Sequence, residues 1–175
     1  MNESSENLMV AVCDQVVFIK ITGRWDFNSS LDLKKLFDEL RQRGFRRFVL
    51  ELRHCMMMDS TFLGLLASEA LKSCDASHPQ PSLLELVNPN ARIAEVLENL
   101  GIAHLFKITQ APDPLAIGYQ PLNHLSGASK AELTRNCLDA HNTLIGLNPD
   151  NARKFQDVAQ FLAEDLKRIE LAGKK

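Results

Sequence analysis

No stretch of the sequence approaches the ~18 consecutive apolar residues that a membrane-spanning helix needs. The opening MNESSENL has neither the basic region nor the apolar region of a secretory leader. A cytoplasmic chain is the expectation. An excess of charge of either sign is also missing: 20 Lys and Arg against 22 Asp and Glu leave a net charge of −2 and a pI near 6.2, which gives no electrostatic footprint for nucleic acid. Cysteine is sparse. Cys13, Cys55, Cys74 and Cys137 include no close pair with metal or redox spacing and read as buried thiols. His54, His78, His104, His124 and His141 show no metal spacing, no serine sits in a nucleophile elbow, and no glycine-rich loop could cradle a phosphate. The pattern therefore predicts no metal, no cofactor and no catalytic activity, with the histidines as surface or packing residues.

What is present is an ordinary globular composition, 45% hydrophobic and 24% charged, enough for one good core plus an appendage. Its organising stretch is Met56 to Leu66, MMMDSTFLGLL. The run FVLEL at Phe48 to Leu52 alternates as a strand with one apolar face. Asp59, Ser60 and Thr61 are residues of a helix N-cap, and Leu63, Leu66, Ala67, Ala70, Leu71 and Cys74 then recur at helical spacing. The reading is strand, short loop, helix start. A hydroxyl at a helix start faces unpaired amides and the positive end of the macrodipole. A phosphate on Ser60 would add about −1.5 to −2 charges there.

Before this stretch, Leu8 to Val12 and Val16 to Ile21 read as a hairpin, Gly23 to Asp26 as a turn, and Ser29 or Ser30 as the cap of a helix ending at Gly44. After it, Asp75 to Ser82 is a polar loop and Leu83 to Val87 a strand. Asn88 and Pro89 start a helix that stops before Gly101, and Leu105 to Ile108 can add a last strand. The order predicts an α/β fold with a mixed sheet of four or five strands and packed helices. Residues 109–129, with Pro112, Pro114 and Pro121, read as a linker. Within 130–172, the stripe Leu133, Cys137, His141, Leu144 and Ile145 and the stripe Phe155, Val158, Ala159, Leu162, Leu166 and Ile169 predict a helical hairpin.

GRWDFNSS at Gly23 to Ser30, RRFVLELRHCMMMDSTFLGLLA at Arg46 to Ala67 and LLELVNPNARIAEVLENLGIAHLF at Leu83 to Phe106 together resemble the STAS family, the anti-sigma factor antagonists and their relatives. The resemblance runs from about Leu8 to Ile108, so that residues 1–108 form the expected STAS-like domain. Gly23 with Asp26, Asp59, Ser60, Leu63, Gly64, Asn88, Pro89, Gly101, Leu105 and Phe106 stand at the family's positions, whereas Thr61 replaces a usual serine and Phe62 a usual glycine. The resemblance implies a phosphoprotein of a partner-switching system, with Ser60 as phosphoacceptor, Thr61 as its fallback, and Asp59 and Thr61 as the phosphosite loop. Arg24, Trp25 and Asp26 would share the docking surface. The implied partners are an anti-sigma factor or serine kinase of histidine-kinase-like fold and a serine phosphatase. A STAS subunit of a membrane (lipid) transporter and a scaffold or sensor in a larger assembly are the alternatives.

Two further expectations come from geometry. Leu65 lies roughly 160° from the centre of the core stripe at ~100° per residue. It should therefore be exposed, with Phe62 at the border, and the pair reads as partner-binding. The hairpin's stripes need a surface beyond their own interface, for which a second copy of the hairpin in a homodimer is favoured over the half-charged second face of the sheet.

Overall fold

The computed structural model describes residues 7–73, 83–111, 117–122 and 127–173. β1 (Asn7–Cys13) and β2 (Val16–Trp25) form an antiparallel hairpin. Its turn residues Asp14 and Gln15 both take positive φ, 48° and 64°, the backbone that a two-residue hairpin requires. α1 (Phe27–Gln42), β3 (Arg47–Glu51), β4 (Cys55–Met58), α2 (Ser60–Ser73), β5 (Leu83–Val87), α3 (Ala91–Asn99), a 3-10 turn and β6 (Lys107–Thr109) follow. β7 (Gln120–Pro121), α4 (Lys130–Leu147) and α5 (Pro149–Ala172) complete the order.

The strands lie in the order β6-β5-β3-β2-β1-β7, with β4 paired to the end of β2. β2, β3, β5 and β6 run parallel, and at one side β1 is antiparallel to β2 and β7 antiparallel to β1. In-register rows explain the core: Val17, Phe48 and Leu84 stand side by side across three strands, as do Ile19, Leu50 and Leu86. All six are buried. Against them pack Leu33, Leu36, Phe37 and Leu40 of α1, Leu63, Leu66, Ala67 and Ala70 of α2, and Ile93 and Leu97 of α3. Each such side chain removed from water contributes roughly 1.5 to 3 kcal/mol, so this one-sided layer dominates stability.

The α/β class with a mixed sheet and packed helices is as expected, but among the described residues the sheet has seven strands rather than four or five. The two unforeseen strands are β4, in the segment read as a loop, and β7, inside the expected linker. β4 exists because Gly23, at φ 85°, permits a register shift between Gly23 and Arg24 that lets β2 run on to Trp25 and pair with Cys55, Met57 and Met58. The expected turn at Gly23 to Asp26 is thus largely strand. β7 is a two-residue addition on β1, and Pro121 sits there at an edge where its missing N–H costs nothing.

Helix starts also shift. α1 begins at Phe27, capped by Asp26 rather than by Ser29 or Ser30. The Asp26 side chain accepts from the Asn28 and Ser29 amides while the Ser29 hydroxyl accepts from the Asp26 amide. α3 is capped by Asn90, whose side chain accepts from the Ile93 amide. Asn88 instead takes φ 54° and ties Glu51 to the Ala111 amide. Leu71, expected in the core stripe, is 41% exposed. Cys74, His78, His124 and the loop from Asp75 to Ser82 lie outside the described residues, as do Pro112 and Pro114 of the expected linker. Of the described cysteines, Cys55 and Cys137 are buried, but Cys13, at the end of the edge-side hairpin, is exposed.

The helical hairpin does not lie on the second face of the sheet. α4 lies on α2 and the flank of α1 of its own chain, and α5 packs on α4. The α4 stripe is thereby covered within one chain, while α5 leaves Val158, Phe161 and Leu171 exposed.

Candidate functional site

At the end of β2 the Trp25 carbonyl accepts the Asp59 amide, which holds the β4–α2 junction against the β2–α1 junction. Two helices therefore start side by side. The Asp59 carboxylate caps α2, accepting from the Phe62 amide at 2.8 Å, and the Leu63 amide closes the first turn onto the Asp59 carbonyl. The same carboxylate also accepts from the amides of Thr61 and of Phe27, the first residue of α1. Burial pushes the Asp59 carboxyl above its ordinary range and the nearby Asp26 carboxylate adds to that, while the amide hydrogen bonds pull the other way.

Ser60 is the first residue of α2 and is half-buried. Its hydroxyl lies 3.0 Å from His141 Nε2 of α4. The other ring nitrogen, Nδ1, is 2.7 Å from the Cys137 carbonyl. A carbonyl only accepts, so Nδ1 carries the proton, and in the neutral ring Nε2 accepts from the Ser60 hydroxyl. The His141 ring is itself held edge-on against Phe155 of α5, with centroids 5.2 Å apart. Along the rest of α2 the contact with α4 is closer still. Thr61 is hydrogen-bonded to the Cys137 thiol, whose burial raises its pKa. Gly64 lies so tightly under Ala140 that an added Cβ would stand 2.4 Å from the Ala140 carbonyl oxygen. Asn136 donates to the Ser30 hydroxyl of α1 at 2.8 Å.

The expected site residues separate into two groups. Asp59, Ser60 and Thr61 are together at the start of α2, with Asp26 beside them and Arg24 exposed at the end of β2. The others are buried. Trp25, expected on the docking surface, is a core residue, 2% exposed, donating from its indole N–H to the Thr22 carbonyl and set against the Phe62 ring at 5.7 Å. Phe62 is fully buried rather than at the border, because β2 carries Trp25 over it. Leu65 does point away from the sheet-facing stripe, but it is only 4% exposed because it lies in the cleft between α1, α2 and α4, near Asn136 and Ala140. Exposed apolar surface near the junction is supplied instead by Phe27 and Met56, 42% and 45% exposed. Sequence reasoning missed both, and it read His141 only as a member of an apolar stripe. The one available signal was that a histidine occupies a core position of that stripe.

Among the described residues no cluster of His, Cys, Asp and Glu could hold a metal ion, and no helix is long and apolar enough to cross a membrane.

A mixed sheet with helices layered on one face, and with a capped hydroxyl at the rim where two helices begin, defines an α/β module built around a helix start rather than a cleft. The chain belongs to the STAS domain family, whose model matches residues 7–113. A STAS-domain containing protein of Pseudomonas aeruginosa is 28% identical over 95 residues, 54% of this chain and 89% of that protein. Among solved structures, a putative anti-sigma factor antagonist from Thermotoga maritima is similar with a TM-score of 0.51 and 25% identity, over 61% of this chain and 86% of its own. The anti-sigma factor antagonist SpoIIAA in its unphosphorylated form shares the fold with a TM-score of 0.51 at 15% identity, over 61% of this chain and 89% of its own. The chain is thus a STAS domain resembling anti-sigma factor antagonists, and α4 and α5 lie beyond the matched residues.

Proposed function

We propose that the chain is a regulatory protein-binding module switched by phosphorylation of Ser60. Unphosphorylated, it docks on an anti-sigma factor or switch kinase of histidine-kinase-like fold; phosphorylated, it lets go, and a serine phosphatase restores it. The observation that carries this reading is the Ser60 hydroxyl at the first position of α2, half-buried, behind the Asp59 cap. The amides and macrodipole of a helix start tolerate an added phosphate, so the domain need not unfold to accept it. A partner packed against the same spot would have to desolvate about −1.5 to −2 charges, which favours release. Thr61 ranks behind Ser60 because it is buried and its hydroxyl is committed to Cys137. Arg24, Phe27 and Met56 are the exposed side chains from which a partner contact can be built around the junction.

Incubation of the full chain with ATP and a serine kinase of that fold, followed by site mapping by mass spectrometry, tests the assignment. Phosphate on Ser60 that disappears in Ser60→Ala is expected. Phosphate found only outside Asp59 to Thr61 would sink it.

A further inference from the structure

The outward face of α2 is not free. We infer that the α4–α5 hairpin is an intramolecular cap on that face, closing over Ser60 and opening as a unit without unfolding of the STAS domain. For its consequence, control of access to Ser60, the inference rests on the functional reading above; the opening itself does not.

Contacts along the cap meet the α2 face from its first residue onward. His141 holds the Ser60 hydroxyl, the Cys137 thiol meets Thr61, and Ala140 lies on Gly64 at a separation that leaves no room for any other chain. A kinase that must bring the Ser60 oxygen in line with a phosphoryl group, or a partner that packs on Gly64 and Leu65, can therefore do so only after α4 has moved. The interface is also suited to opening. Much of the face that α4 turns inward is polar: Thr134, Asn136 and His141 are buried among Cys137, Ala140 and Leu144. The hydrogen bonds of Asn136 to Ser30 and of His141 with Ser60 can be exchanged for water, so separation costs less than exposing an apolar core of equal area. The sheet-facing rows of Val17, Phe48 and Leu84 and of Ile19, Leu50 and Leu86 are paired strand to strand, and the hairpin joins the core they belong to through Leu144, with Leu147 and Phe155 packed at its margin. α5 reaches the domain mainly at its start, through Asn151 to the Leu100 carbonyl and Lys154 to the Asn99 carbonyl. Further along, it leaves Val158, Phe161 and Leu171 exposed.

Two native thiols read the two events separately. Cys137 is covered by the α2–α4 contact, and Cys55 is buried in β4 within the domain. The full chain is treated with iodoacetamide under native conditions, and labelling of each peptide is followed by mass spectrometry. Local opening predicts that Cys137 is labelled about tenfold or more faster than Cys55. A common rate for both overturns the cap, because the hairpin would then leave only when the domain unfolds. Ala140→Arg cannot fit over Gly64 and should raise labelling at Cys137 alone. Should that variant label Cys55 as fast as Cys137, it has lost its fold, and the wild-type ratio decides. In the phosphorylation assay, faster modification of Ser60 in Ala140→Arg than in wild type is expected. Equal rates with Cys137 opened would refute control of access. No phosphate on Ser60 in either protein, with Cys137 opening as expected, would refute the phosphoacceptor reading and leave the cap standing.

Discussion

Asp59 does two jobs at one atom group, since it caps α2 and lies against the start of α1. Its carboxyl is raised by burial and by Asp26. A carboxyl whose pKa rises on folding contributes stability that is full below its unfolded value and is lost as pH rises through the folded value. Asp59→Asn keeps the acceptor for the Phe62 amide and cannot ionise. It should match wild type in acid and exceed it near neutral pH in denaturation series across pH; a gap that is constant with pH would contradict the account. Gly64 offers a second residue-scale check. A methyl there meets the Ala140 backbone, and such overpacking costs about 1–3 kcal/mol, so Gly64→Ala should lower the melting temperature, an effect that vanishes once α4 is displaced by Ala140→Arg. At this scale the sequence was partly legible. Helical spacing placed Leu65 opposite the sheet-facing stripe, as found, but burial is decided by what lies above it, and α4 comes from more than 60 residues further along the chain. His141 was visible as a stripe residue, while its hydrogen bond to Ser60 depends on the same docking.

Between elements, α1 and α2 are locked by a buried carboxylate. Glu69 is fully buried and pairs with Arg41 of α1, and with Lys72 at 2.7 Å, while the Arg41 guanidinium also lies over the rings of Phe37 and Phe48. Removing one partner of such a group leaves the buried charge less compensated, at up to about 3–5 kcal/mol. Arg41→Ala should lose stability of that order by chemical denaturation, and more than Arg43→Ala, whose i,i+4 pair with Glu39 is exposed on both sides. A loss below about 1 kcal/mol would show that the remaining partners of Glu69, Lys72 among them, suffice. Elements with strong periodicity, such as β3 and α2, were legible in outline because their own residues carry the signal. β4 was not, because CMMM has no alternation and becomes a strand only through pairing with an extended β2. The caps moved for a related reason: Asp26 and Asn90 compete with Ser29 and Asn88 as equally suitable residues, and the strand that precedes each helix decides between them.

For the whole molecule, the hairpin beyond the family match lies on α2 and the flank of α1. Its periodicity foretold two amphipathic helices but not the surface they cover, because Thr134 and Asn136, which face the domain, look in sequence like solvent positions, and His141 in the apolar stripe carries no sign of its partner. The hairpin is pinned at its far end by Asn151, fully buried, whose amide donates at 2.9 Å to the carbonyls of both Leu100 and Leu144. Asn151→Ala removes two hydrogen bonds worth about 1 kcal/mol each. Faster amide hydrogen exchange in α4 and α5 than in β3 and β5 is the expected result. Uniform acceleration across the chain would show that hairpin and domain open together.

The central claim is that the charge state of Ser60 decides whether a partner stays bound. Its most direct measurement is the dissociation constant of a histidine-kinase-like partner for the full chain before and after stoichiometric phosphorylation at Ser60, at fixed salt. A phosphate forced into a protein interface without a cationic partner should weaken binding by about a hundredfold or more. An unchanged constant would contradict the account.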